Sequence, residues 1–125
     1  MSWFRSLLDA VTGVHAHAGL PDHAPAGSQP RSSQWSTVRA AHLAEYPTCA
    51  ACGCRRNLAV HHIVPFHLRP DLELVGANLC TLCESDTHND HLIFGHALDF
   101  RLWNPFVVVD AARILGRIRE ARAEV

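Results

Sequence analysis

The sequence predicts a small α+β domain in which bound metal replaces part of the hydrophobic core. Three observations point there. Leu58-Ala-Val-His-His-Ile63 alternates in the manner of a half-buried strand. Cysteine pairs at 49/52 and 80/83 bracket that strand. Segments before and after it place apolar residues at helical spacing.

In chain order, residues 2–12 set Trp3, Phe4, Leu7, Leu8 and Val11 on one helical face. One Arg, an Asp within the apolar part and the lack of a long apolar centre suggest a short amphipathic helix (1–12) and not a secretory signal. Such a segment can dock on the domain, on a protein partner or on a second copy, or stay loose as a marginal helix. Residues 13–33 are rich in Gly, Pro, Ala, Ser and His, too polar and too broken to order themselves, and read as a flexible linker. His15, His17 and His23 lie in it and read as solvated side chains. The folded domain is expected over 34–125.

Ser33 or Ser36 caps an expected helix running to Glu45, with Trp35, Val38, Ala41, His42 and Leu43 inward, and Pro47 closes it. C-A-A-C-G-C-R-R-N follows as a tight turn. The first strand, Leu58–Ile63, ends at Pro65, and a loop with Leu72 and Leu74 turned inward leads to a second extended segment at Asn78–Leu82. A helix is expected from His91 to Phe100, capped by Asn89 or Asp90. The last helix spans Pro105 to Ala123, with Val108, Ala112, Ile114, Leu115 and Ile118 inward and Arg113, Arg117, Arg119 and Arg122 mainly outward.

With 125 residues the chain has room for one modest core. No apolar run approaches the roughly 20 residues that span a bilayer, so no membrane association is expected. A cytoplasmic location is expected, where thiols stay reduced, and an odd cysteine count of five suits metal better than disulfides. The formal charge of −1 gives no nucleic-acid signal by itself. All eleven cations are arginine, however, and arginine makes forked contacts to phosphate.

Cys49, Cys52, Cys80 and Cys83 have the spacing of a tetrahedral structural zinc site. His88 and Asp90 are rivals of Cys80 for the fourth position, and Cys54 reads as a free thiol in the turn. The adjacent His61 and His62 lie at the end of a strand, where neighbouring side chains point to opposite faces. One imidazole can then face a metal while the other faces a water. One ring buried and the other solvated is the bland alternative.

Taken together, V-H-H-I-V-P-F, A-N-L-C-T-L-C and D-H-L-I-F-G-H resemble the signatures of the HNH, or ββα-metal (His-Me finger), endonucleases, in a zinc-stapled subfamily. P-T-C-A-A-C-G, W-S-T-V-R-A-A-H-L and W-N-P extend the resemblance over residues 34–110. In that family the partner of the thiol matching Cys83 often directly precedes the metal-binding histidine; here Asp90 stands there. The resemblance implies a ββα-metal core and hydrolysis of DNA phosphodiesters, with RNA not excluded. It casts His62 as general base and Asn78 as the residue that ties the strands and holds that base in its tautomer. His61 and His91 become ligands of a divalent ion (magnesium, manganese, nickel or zinc), with His96 either a third ligand or a support of the fold and His88 a rival of His91. Phosphate contacts are expected from Arg55, Arg56, Arg69 and Arg101. The alternative function is a zinc-stapled binding module without catalysis.

Overall fold

A computed structural model describes residues 30–124. The expected N-terminal helix and most of the linker lie outside them. The order of elements is helix α1 (Trp35–Glu45), strand β1 (Leu58–His62), strand β2 (Leu79–Cys83), a single turn at His91–Gly95 and helix α2 (Val107–Ala123). Short 3-10 turns at Pro70–Leu72 and Gly76–Asn78 shape the connection between the strands. The domain is therefore α+β, built on a two-stranded antiparallel sheet. None of the described helices is long and apolar enough to cross a membrane.

Register decides what each strand presents. Leu58 pairs with Cys83, Val60 with Thr81 and His62 with Leu79, so these six share one face. His61 pairs with Cys80 and Ala59 with Leu82, which puts these four on the other. Helix α1 covers the first face: the Trp35 ring lies 4.5 Å from that of His62, and the Thr81 hydroxyl donates to the Tyr46 carbonyl at 2.9 Å. The turn at His91–Gly95 covers the second, its Gly95 lying against the His61 ring. A small core of Cys49, Ala51, Cys80, Leu82, Cys83, Val107 and Ala111 joins β2 to α2.

Several expectations shift in detail. Arg31 and Ser32, assigned to the linker, pack on the domain through Glu73: the Ser32 amide donates to Glu73 Oε1 at 2.9 Å. Helix α1 begins at Trp35 after Gln34, without a side-chain cap from Ser33 or Ser36; Ser32 Oγ instead accepts the Gln34 amide at 3.1 Å. Helix α2 keeps Ile114, Leu115 and Ile118 on its half-buried side as expected, but its first turns are rotated from the expected face. Val107, Asp110 and Ala111 are buried, while Val108 and Ala112 are exposed. The cause is Asp110, which accepts a hydrogen bond from Asn104 Nδ2 at 2.9 Å and is drawn into the core by that partner.

The expected helix from His91 to Phe100 shrinks to one wide turn, closed by the His96 amide on the His91 carbonyl at 3.2 Å. The Asn89 side chain caps it, accepting the Leu92 amide at 2.8 Å. Ala97 and Leu98 then take left-handed backbone angles (φ 51° and 72°), which no α-helix can continue through. The Leu98 amide reaches back to the Leu92 carbonyl at 2.9 Å, satisfying the turn's end.

His42 is buried on α1 at 8% exposure, and burial lowers its pKa below the ordinary 6.5. The unfolded chain therefore binds the proton more readily, and this contribution to stability, present above about pH 6.5, is lost as pH falls through the lower folded value. Thermal melts of His42→Leu are expected to lose less stability than wild type between about pH 7 and about pH 5.

Candidate metal centres

Two groups of metal-ligating side chains form on this scaffold. In the first, the ligand atoms of Cys49, Cys52, Cys83 and Asp90 lie within 4.8 Å of one another. The turn that begins it closes with the Gly53 amide on the Cys49 carbonyl and the Cys49 amide on the Cys54 carbonyl. Gly53 takes φ 79° there, a conformation that suits glycine. Tetrahedral zinc with bonds of about 2.3 Å to sulfur and about 2.0 Å to oxygen needs edges of about 3.8 Å between sulfurs and about 3.5 Å between sulfur and oxygen. Cys52 and Cys83 are 3.9 Å apart, and Asp90 Oδ2 lies 3.3 Å from Cys49 Sγ and 3.5 Å from Cys83 Sγ. The donor set fits zinc.

Asp90, and not Cys80, is the fourth member. Cys80 and Cys83 are three apart along a continuous strand, so their side chains leave opposite faces and cannot meet one ion. Cys80 enters the core, where burial pushes its thiol up to about 12. His88 joins neither group; its Nε2 lies 3.0 Å from the outer oxygen of Asp90. It thus orients the carboxylate from outside, as partners of metal-binding carboxylates commonly do. Cys54 donates to the Arg56 carbonyl at 3.7 Å and lies beside Cys52, outside the group of four ligand atoms.

The second group is His61, His91 and His96, again with ligand atoms within 4.8 Å. Their ring centroids are 4.9–5.0 Å apart in all three pairs. On an α-helix, residues five apart diverge by about 140°. The wide turn removes that divergence, so His91 and His96 both reach His61. Each is held from behind: His91 Nδ1 meets Glu84 Oε2 at 3.2 Å, and His96 Nδ1 donates to the Leu102 carbonyl at 2.8 Å. Those contacts leave the Nε2 atoms of both rings for the cluster.

His61 is 2% exposed, and its Nε2 has no hydrogen-bond partner. Burial, then the neighbouring His91, His96 and His62, holds its pKa well below the ordinary value, so the ring is neutral and able to bind metal. His91 Nε2 and His61 Nδ1 stand 3.1 Å apart, near the roughly 3.3 Å edge expected between imidazole nitrogens on one tetrahedral ion. A buried neutral imidazole whose Nδ1 stands at that distance from the Nε2 of a second, supported imidazole fits a divalent cation.

His62, on the opposite face of β1, is fixed separately. Its Nε2–H donates to the Glu73 carbonyl at 2.9 Å, which leaves Nδ1 as the acceptor, 3.5 Å from an Arg31 nitrogen. Burial, ahead of its other contacts, lowers the His62 pKa. Asn78 does not perform the tautomer-holding task expected of it. Its amide accepts the Val64 N–H at 2.8 Å and donates to the Val64 and Leu72 carbonyls, fastening the inter-strand loop to the start of β2. The Glu73 backbone oxygen holds the imidazole instead, because that fastened loop brings it there.

His61, His62, His91, His96, Arg31 and Phe66 line one cavity of about 300 Å³. Arg31 stacks over Phe66 at 4.5 Å and pairs with Glu73 at 3.3 Å. Arg31 and Glu73 carried no sequence signal: one lies in a polar stretch, the other in a loop. Of the expected phosphate-binding arginines, Arg55 and Arg56 are exposed at the cysteine turn. Arg69 and Arg101 are each forked onto a neighbouring carboxylate, Asp71 at 2.7 Å and Asp99 at 2.8 Å. Their charge is largely spent locally.

No protein-family model, curated protein or solved structure matches this chain.

Two predictions follow from these geometries. Zinc content of the purified protein, measured by mass spectrometry or chelator release, should survive Cys80→Ser and fall on Cys83→Ser. A Cβ at Gly95 would stand 3.0 Å from two atoms of the His61 ring. Gly95→Ala should therefore weaken divalent-ion binding at the imidazole group about tenfold or more, read by calorimetric titration, while the cysteine-bound zinc is retained.

Proposed function

We propose that this chain is a metal-dependent endonuclease of the HNH, ββα-metal type, acting on DNA phosphodiesters. The observation that carries the reading is the division of labour between two adjacent strand residues. His61 joins the imidazole cluster, while His62 presents Nδ1, an acceptor with Arg31 beside it, to the same cavity from a neighbouring position. A scaffold that only bound a structural ion would have no use for the second, separately oriented imidazole.

In the proposed reaction His62 Nδ1 takes a proton from water as the water oxygen attacks phosphorus. The bond to the 3′ oxygen breaks on the far side of the phosphorus. Glu73 keeps His62 in the acting tautomer through its carbonyl, and Arg31 offers a cation beside the same nitrogen for a phosphate oxygen. A divalent ion held by His61, His91 and His96 would supply Lewis-acid charge for the phosphate and the departing oxyanion. Three imidazoles suit zinc, nickel or manganese, whereas magnesium favours oxygen ligands. The second ion, zinc on Cys49, Cys52, Cys83 and Asp90, serves the fold. With Arg69 and Arg101 paired to carboxylates, binding to nucleic acid is expected to be weak and of low sequence specificity.

Plasmid nicking with added magnesium, manganese or nickel tests the reading. His62→Ala should lose activity by roughly 10²–10⁴-fold, the usual contribution of a positioned general base. Equal rates for wild type and variant would remove His62 from its role. DNA binding without any nicking would favour the alternative, a zinc-stapled binding module.

A further inference from the structure

A second groove, of about 420 Å³, opens between the C-terminal end of α1, the start of β2 and the first turn of α2. Tyr46, Ala50, Ala77, Leu79 and Val108 contribute to its lining, and Glu45 lies at one side. Tyr46 and Val108 are 53% and 52% exposed, an apolar rim with no cover among the described residues. His42 also lines the groove, more than nine-tenths buried, and its Nε2 has no hydrogen-bond partner. His42 thus adds the body of its ring to the wall, with that nitrogen sealed from the groove itself.

The chain carries an apolar occupant for it. Trp3, Phe4, Leu7, Leu8 and Val11 repeat at the spacing of one helical face, and Trp3 supplies a large apolar ring. Arg5 is the cation of that segment and matches the Glu45 carboxylate beside the groove.

Length permits the contact. The described chain starts at Pro30, and Arg31 sits beside Trp35 at the opposite end of α1 from the groove. The 11 residues of α1 cover only about 16 Å. Residues 13–29 can extend over some 55 Å, so the tether is more than sufficient. A tether of that length also gives an effective concentration near the millimolar range, enough to hold a contact that would be weak between separate molecules.

We propose that the groove holds the chain's own residues 2–12, apolar face inward, with Trp3 against the His42 side of the groove and Arg5 beside the Glu45 carboxylate. This does not depend on the nuclease reading, since no residue of the imidazole cluster takes part. The docked segment would cover the flank of β2 and connect the two helices across it.

The test is amide and indole NMR on the zinc-loaded full chain, wild type against a Leu7→Asp, Leu8→Asp double variant. The changes lie outside the residues that form the core, so the variant is expected to fold. The amides of Ala50, Ala77, Thr81 and Val108 should shift between the two proteins, and the shifts should be independent of protein concentration. The Trp3 indole resonance should move in His42→Ala. Unchanged groove amides would overturn the proposal. So would shifts that fade on dilution, which would make a second copy of the chain the occupant.

Discussion

The alternation of side chains across a pleated strand is the constraint on which this domain turns. His61 and His62 are bonded neighbours, yet the pleat sends them to opposite faces of the sheet. Everything that surrounds the site answers that separation. The wide turn at His91–Gly95 packs on one face and brings two more imidazoles, while Trp35 and the Glu73 carbonyl secure the ring on the other. A slip of one residue between β1 and β2 would exchange the two rings and dissolve both arrangements.

The two candidate metal groups have different relations to the fold. Among the described residues the buried apolar core is small and contains three cysteines, two of which belong to the Cys49–Asp90 group. Zinc there would join β2, the loop before His91 and the cysteine turn, with a binding free energy of about 10–16 kcal/mol by the precedent of small zinc domains. That is large beside the stability a core of this size can offer. The imidazole group is built the other way round. The scaffold holds His61, His91 and His96 from behind through backbone and carboxylate contacts, so the site is positioned by the fold and does not create it.

Much of the sheet and the helices was legible in the residues, because periodicity reports directly on which elements bury a face. Leu58–His62 was readable from its alternation, and α1 and α2 from their apolar spacing. The inward face of α2 was legible at Ile114, Leu115 and Ile118 but not in its first turns, since Asp110 is buried with a hydrogen bond to Asn104, and a polar residue in a core position leaves no apolar trace. The short span of the turn after Asn89 was hidden too. D-H-L-I-F-G-H suits a helix locally, and only packing of Gly95 against His61, with the left-handed pair Ala97–Leu98 after it, ends the turn.

The sequence alone determined the chemistry available: thiols at the spacing of a tight turn, paired imidazoles at a strand end, and further histidines close behind. Composition and spacing are local properties, and local physics suffices to read them. Tertiary structure decided which of those groups meet. It sent Cys80 into the core and brought Asp90 to the thiols, it gave Asn78 a loop to fasten, and it placed Arg31 and Glu73 beside His62. Strand register, the width of one turn and the path of a loop are settled by contacts between distant residues, and those contacts leave no mark in the spacing of neighbours.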